Sequence, residues 1–237
     1  MVKMNRIRDF YQGIAPRYAN FLASLRGDFK EFRDLERRIL EGLYDSKVYY
    51  VGAGESSNVI TLVHGRNKVL GVDFSENMFA ESRKKLEQSG IAYLQQTFNE
   101  RAQITKEQLD DVFSRSDVFL LHGDAKDVQL PERYFDASVI YCTLPNMSDE
   151  TQLKVLEAMK SASSRILISV YKLQSLGEVL SAYENTGEKG DVNEDTLRLE
   201  NGLIYKIVPA TKLKRIFDGW ELKVHEHTFG FVYEFTH

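Results

Sequence analysis

Cysteine is nearly absent from this chain: Cys142 is the single one among 237 residues. No disulfide can form within it, and a metal site built on cysteine would need its other ligands elsewhere. Long apolar runs are missing too. No stretch approaches the roughly 18 apolar residues of a membrane span, and the opening ten residues lack the apolar centre of a secretory signal. A soluble, cytoplasmic protein is expected. Positive charge is not in excess either. A net charge of -4 and a pI near 5.8 give no electrostatic footprint for nucleic acid. Internal repeats, low-complexity tracts and dividing linkers are also lacking. What is present, 43% hydrophobic and 28% charged, is ample for a core, and the length suits one large α/β domain over residues 1–237.

The chain is organised around Val48-Tyr-Tyr-Val-Gly-Ala-Gly-Glu-Ser-Ser-Asn-Val-Ile-Thr-Leu62. An apolar run of strand length ends in Gly52 and Gly54, and a helical pattern begins at once. Strand, glycine turn and helix form the geometry by which an α/β sheet holds an adenosine-containing ligand beyond its first strand. Ser56 or Ser57 is in position to cap that helix. A second strand, Lys68–Val72, ends at Asp73, 19 positions after Gly54. Ser75 then caps a helix through Met78, Phe79, Ser82 and Leu86.

Upstream, residues 5–43 read as two helices joined near Arg26-Gly27-Asp28. The first carries Ile7, Phe10, Tyr11, Ile14, Tyr18, Phe21, Leu22 and Leu25 at helical spacing. The second has Phe29, Phe32, Leu35, Ile39 and Leu43 on one stripe. Its Arg33, Glu36, Arg37 and Glu41 interleave both signs, the pattern of a solvated face.

Downstream, 91–117 reads as an insertion with a helix over Lys106–Arg115, opened by a Thr105–Gln108 capping box. Strands follow at Val118–His122, Ala137–Cys142 and Arg165–Tyr171, with a helix from about Asp149 to Ser161 that turns Leu153, Leu156 and Met159 inward. Residues 185–201 read as a loop or lid, and Gly202–Val208 as an extra strand. Trp220–His225 and Gly230–Phe235 are linked too closely for a crossover helix and must pair antiparallel. The expected fold is a doubly wound α/β sheet of seven mostly parallel strands. It carries an antiparallel C-terminal hairpin, a helical cap over 1–43, and insertions near 91–117 and 185–208.

Three matches in order make the chain resemble the class I, Rossmann-like S-adenosylmethionine-dependent methyltransferases. They are Val51-Gly-Ala-Gly54, Gly71-Val-Asp-Phe-Ser-Glu-Asn-Met78, and Leu121-His-Gly-Asp-Ala125 followed by Tyr134-Phe-Asp-Ala-Ser-Val-Ile-Tyr141. Tyr11-x-x-Ile-Ala-x-x-Tyr18 is similar to the opening segment of small-molecule members. The resemblance implies S-adenosyl-L-methionine as cofactor. It puts the amides of Gly52, Ala53 and Gly54 toward the methionine carboxylate and ribose, and Asp73 on the ribose hydroxyls. Phe74 and Met78 pack on ribose and adenine, Asp124 and Ala125 meet the adenine edge, and Tyr141 lies beside the cofactor. The chain departs from the family at Tyr50, where an acid is usual, and at Ser56, where a third glycine is usual; Glu55 is a candidate stand-in for the acid.

Methyl transfer from a sulfonium depends on alignment more than on acid–base machinery, and no catalytic triad is visible. The implied activity is transfer to nitrogen or oxygen of a small-molecule acceptor above the end of strand four. Asn146 either orients that acceptor or caps the turn before Ser148, and Tyr11 and Tyr18 either close over the site or belong to the core. His225 and His227 share a strand face, but with no third ligand in sight no metal is expected. Cys142 has no base partner to make it a nucleophile. Two other readings compete: a non-catalytic cofactor- or partner-binding domain, and a nicotinamide-dependent oxidoreductase, which needs a further glycine after the turn.

Overall fold

A computed structural model describes residues 10–16, 18 and 25–237. Residues 10–16 are helical, and helix α1 spans Gly27–Glu41. Of the apolar positions expected in the first helix, Ile7, Phe21 and Leu22 lie outside the described residues.

The main sheet holds eight strands rather than seven, in the order β12-β13-β8-β7-β1-β2-β5-β3. Strands β1 (Lys47–Val51), β2 (Lys68–Asp73), β5 (Val118–His122), β7 (Phe135–Tyr141) and β8 (Ser163–Tyr171) are parallel neighbours. The additional strand β3 (Tyr93–Thr97) comes from the 91–117 insertion and pairs with β5 at the edge, while β4 (Ala102–Gln103) and β6 (Val128–Gln129) pair apart from it as a two-stranded parallel sheet. The β3 pattern Tyr-Leu-Gln-Gln-Thr is half exposed and so carries little apolar signal. The hairpin β12 (Glu221–Glu226) and β13 (Gly230–Thr236) closes the other edge, β13 running antiparallel to β8.

Strand β1 lies between β2 and β7, so the chain winds one way from β1 through β2 to β5 and the other way from β7 through β8. That reversal is the switch point at which open α/β sheets leave a crevice beyond their carboxyl ends. Alternation along β1 sends Val48 and Tyr50 to one face and Tyr49 and Val51 to the other. The first face is covered by α1, α2 (Ser57–His64), α3 (Glu76–Gln88) and α6 (Leu176–Glu184), the second by α4 (Lys106–Arg115), α5 (Asp149–Ala162) and α7 (Ala210–Ile216). Burying each large apolar side chain stabilises the fold by roughly 1.5–3 kcal/mol, and strands buried on both faces contribute at nearly every position.

Local signals hold where the cap chemistry is explicit. The Thr105–Gln108 capping box forms in both directions, and Ser75 accepts from the Met78 N–H at 3.3 Å. Others are corrected. Neither Ser56 nor Ser57 caps α2: Ser56 sits at φ 67 with no side-chain cap bond, its hydroxyl bonded to Ser82. In α5 Leu153 is exposed, while Gln152, Val155, Leu156 and Met159 face inward. Residues 185–208 are not a loop with one strand. They form a three-stranded antiparallel sheet, β9 (Gly190–Asn193), β10 (Thr196–Leu199) and β11 (Ile204–Lys206). Leu197, Leu199, Leu203 and Tyr205 join the core on the α1 side.

Candidate active site

The site begins at the end of β1. Gly52 turns at φ +73, and a Cβ there would stand 2.3 Å from Thr143 Oγ1. Only glycine lets the first strand and the β7 loop approach so closely. The turn is then fastened from below. The Gly52 and Ala53 amides both donate to the Val72 carbonyl, at 2.9 and 3.0 Å, and the Gly54 amide donates to Asp73 Oδ2 at 2.8 Å. Asp73 Oδ1 accepts from the Ser75 amide at 2.9 Å. The spacing between Gly54 and Asp73 thus has a structural meaning: the carboxylate at the end of β2 pins the glycine turn. Burial pushes the Asp73 carboxyl above its ordinary value, and the Ser75 and Gly54 amides pull against that shift.

Beyond these strand ends lies one cavity. Gly52, Ala53, Gly54, Asp73, Phe74, Met78, Tyr141, Tyr11 and Tyr18, all singled out in the sequence, line it together. Three others do not. Asp124 accepts from the Lys126 amide and ammonium group, at 3.1 and 2.9 Å, and caps the short turn Ala125–Asp127. Ala125 is buried among residues of the opposite face of the sheet. The Phe98 ring lies directly over Gly123, where a Cβ would meet it at 2.4 Å. Asp124 and Ala125, which the resemblance assigns to the adenine edge, thus do not line the cavity with the other residues. Asn146 stands behind the wall: its amide donates to Tyr11 Oη at 3.1 Å and to the Cys142 carbonyl at 3.2 Å. The helix α5 cap is Ser148, which accepts from the Thr151 amide, so Asn146 tethers the N-terminal segment to the β7 loop instead.

The largest departure concerns α1. Arg33 and Glu36 do not face solvent. Glu36 is 1% exposed, and Arg33 Nη1 lies 2.5 Å from its Oε2 while the arginine lines the cavity. Glu36 Oε1 accepts from the Ser169 hydroxyl and from Cys142 Sγ, the latter at 3.4 Å. Burial pushes the Glu36 carboxyl up, and Arg33 and the Ser169 hydroxyl oppose it. A signal for this was available. Phe29, Phe32, Glu36 and Leu40 follow helical spacing, so Glu36 occupies an apolar-stripe position.

The remaining wall is phenolic. Seven of the chain's 12 tyrosines line the cavity: Tyr11, Tyr18, Tyr50, Tyr141, Tyr171, Tyr183 and Tyr205. Tyr171 and Tyr205 stack with centroids 4.9 Å apart, so the β9–β11 sheet helps to close the site. Tyr50, in the place of the usual acid, is 2% exposed, and its Oη accepts from Asn58 Nδ2 at 2.6 Å. Glu55 is held by Lys85 and by the Ser57 hydroxyl at 2.8 Å. Cys142, at φ 51, is a cavity residue whose thiol burial pushes up to about 12.

No family model matches the sequence, and no curated protein is similar to it at the sequence level. Solved structures do share its fold. A complex of DhpI with SAM and HEP superposes with a TM-score of 0.63 at 17% identity, covering 99% of this chain and 97% of that one. The magnesium protoporphyrin IX methyltransferase ChlM from Synechocystis PCC 6803, with bound SAH, gives 0.60 at 15%, covering 97% of each chain. The PH0226 protein from Pyrococcus horikoshii OT3 gives 0.63 at 12%, covering 87% and 88%. The chain has the mixed α/β fold of S-adenosylmethionine-dependent methyltransferases. Among its described residues no helix is long and apolar enough to cross a membrane.

Proposed function

We propose that this protein is an S-adenosylmethionine-dependent methyltransferase acting on nitrogen or oxygen of a small-molecule acceptor. One observation carries the reading. The glycine turn of β1, the acid ending β2 and the Tyr141–Thr143 loop ending β7 converge on a single cavity at the switch point of the sheet. The neighbours crystallised with SAM or SAH across nearly the whole chain length support the same ligand.

The residues present fit that cofactor. Gly52 keeps the cradle open, where any side chain would fill the gap against Thr143. Asp73 stands at the ribose position, with Phe74 and Met78 beside it as apolar packing. Tyr141 Oη is buried without a partner, and a buried hydroxyl left so is costly unless a ligand takes it up. The methionine carboxylate is assigned to Arg33. The amides of Gly52, Ala53 and Gly54 are already committed to Val72 and Asp73, whereas Arg33 presents a guanidinium to the cavity. Glu36, anchored by Ser169 and Cys142, holds that guanidinium in place. When bound, S-adenosylmethionine supplies a methyl group on a positively charged sulfur. The chain's task is alignment and exclusion of water, which by themselves account for much of such an acceleration.

Calorimetric titration with S-adenosylhomocysteine, with NAD as control and the Asp73→Ala variant alongside, tests the reading. Binding of the sulfur nucleoside, weakened by the substitution, is the expected result. A preference for NAD returns the oxidoreductase reading, and no binding of either removes the methyltransferase.

A further inference from the structure

We infer that Glu55 is the acceptor for the α-ammonium group of the cofactor, so that the cavity selects its ligand by the charged amino-acid end as well as by the nucleoside. The inference rests on the methyltransferase reading and adds a specificity-determining residue to that same cavity.

An amino-acid end carries two opposite charges, and Arg33 answers only the carboxylate. An ammonium group has hydrogens to give and no lone pair with which to accept, so it needs an anionic oxygen. Two carboxylates line the cavity among the described residues, Asp73 and Glu55. Asp73 is committed to the glycine turn on both oxygens, Oδ2 to the Gly54 amide and Oδ1 to the Ser75 amide. Glu55 is engaged on one side only. Both of its contacts fall on Oε2, from the Ser57 hydroxyl at 2.8 Å and from the Lys85 ammonium. Oε1 takes no hydrogen bond among the described residues. Glu55 is 8% exposed, and a carboxylate so nearly buried gains most from a charged donor on its unused oxygen.

The turn and the neighbouring helices hold that oxygen in place. Glu55 follows Gly54 directly, so its backbone is set by the turn that Asp73 pins. Lys85, on α3, does not itself line the cavity and also donates to the Ser57 hydroxyl at 2.6 Å. Lys85 and Ser57, the first residue of α2, thus fix one carboxylate oxygen and leave the other without a protein partner. Glu55 is also placed to act together with Arg33. Burial pushes the Tyr18 phenol up to about 12, while Arg33 lowers it and Glu55 raises it. Both charges therefore lie within electrostatic reach of one hydroxyl. That proximity is what a ligand with its carboxylate and ammonium on the same carbon requires. A nucleoside lacking the amino-acid end brings no donor for Glu55 Oε1.

The test is calorimetric titration with S-adenosylhomocysteine, with its deamino analogue, in which hydrogen replaces the amino group, and with 5′-methylthioadenosine. The wild type should bind S-adenosylhomocysteine at least about ten-fold more tightly than the deamino analogue, the scale of a hydrogen bond between charged groups. Glu55→Gln should remove most of that preference by weakening S-adenosylhomocysteine. The other two ligands should stay within about three-fold, less than one ordinary hydrogen bond. Lys85→Met breaks the same ion pair but keeps the carboxylate, and it should keep the preference. Three outcomes overturn the inference. The wild type binds S-adenosylhomocysteine and the deamino analogue equally; Glu55→Gln keeps the full preference; or Lys85→Met loses it as completely as Glu55→Gln, which assigns the effect to the ion pair and not to Oε1. The wild-type comparison stands even where a variant does not fold. Binding of 5′-methylthioadenosine with no preference for the amino group strikes at this inference alone, whereas binding of none of the three ligands strikes at the proposed function.

Discussion

Replacing Arg33 by Met tests the buried pair of α1 most sharply. Glu36 is 1% exposed, so removing its one ion-pair partner among the described residues leaves a buried carboxylate without a cation. Breaking a buried pair in this way costs about 3–5 kcal/mol. For a chain of this size that is a fall in Tm of roughly 6–20 °C. Ser169 and Cys142 still hydrogen-bond to Glu36, which pulls the loss toward the lower end. The pH dependence follows from the direction of the shift. Burial already raises the Glu36 carboxyl above its unfolded value, and Arg33 is the strongest of the groups that restrain it, ahead of Ser169 and Cys142. Without Arg33 the folded-state value climbs further, so the folded state binds the proton more tightly. Stability relative to wild type then recovers as pH falls from 8 toward 5 and is lost as pH rises. Arg33→Met combined with Glu36→Met removes both charges and should return to within about 1–2 kcal/mol of wild type, since apolar replacement of a whole buried pair is often neutral. Thermal and urea denaturation of the wild type, Arg33→Met, Glu36→Met and the double variant at two pH values measures the coupling. The cofactor assignment adds a second readout: both variants lacking Arg33 should lose affinity for S-adenosylhomocysteine but not for 5′-methylthioadenosine, which lacks the amino-acid end. An Arg33→Met protein within about 1 kcal/mol of wild type at pH 8, with no pH dependence, would refute the buried pair.

Two further outcomes are expected. Gly52→Ala places a methyl at a positive φ and against Thr143 Oγ1. It should cost about 1–3 kcal/mol and abolish detectable cofactor binding, with Thr143→Gly in the same chain restoring part of the stability in a urea titration. Cys142, with its thiol pushed to about 12, should be alkylated by iodoacetamide at pH 8 roughly a thousandfold more slowly than an ordinary thiol. Labelling at the rate of free cysteine would mean that the β7 end is open to water.

Some of this protein was fixed by short-range rules. The strand–turn–helix around Gly52 and Gly54, the Ser75 cap and the Thr105–Gln108 box depend on neighbours within a few residues, so pattern and chemistry sufficed to read them. The apolar runs of β1, β2, β5, β7 and β8 were legible because strands buried on both faces need apolar residues at nearly every position. Edge strand β3 and the sheet β9–β11 were not, since exposed strands carry polar sequences whose pairing is decided by the partner strand. The same limit governed the site. Asp73 and the glycines were readable, but their amides were committed to each other only once β1 and β2 lay side by side. Glu36 sat on an apolar stripe in plain view, yet its burial required Arg33 on the same helix, Ser169 on β8 and Cys142 beyond β7 to meet around it. Tyr205 reached the cavity only through the fold of a polar segment. Local chemistry determined which elements form; tertiary packing decided which charges are buried, which hydroxyls are left unpartnered, and thus what the cavity can hold.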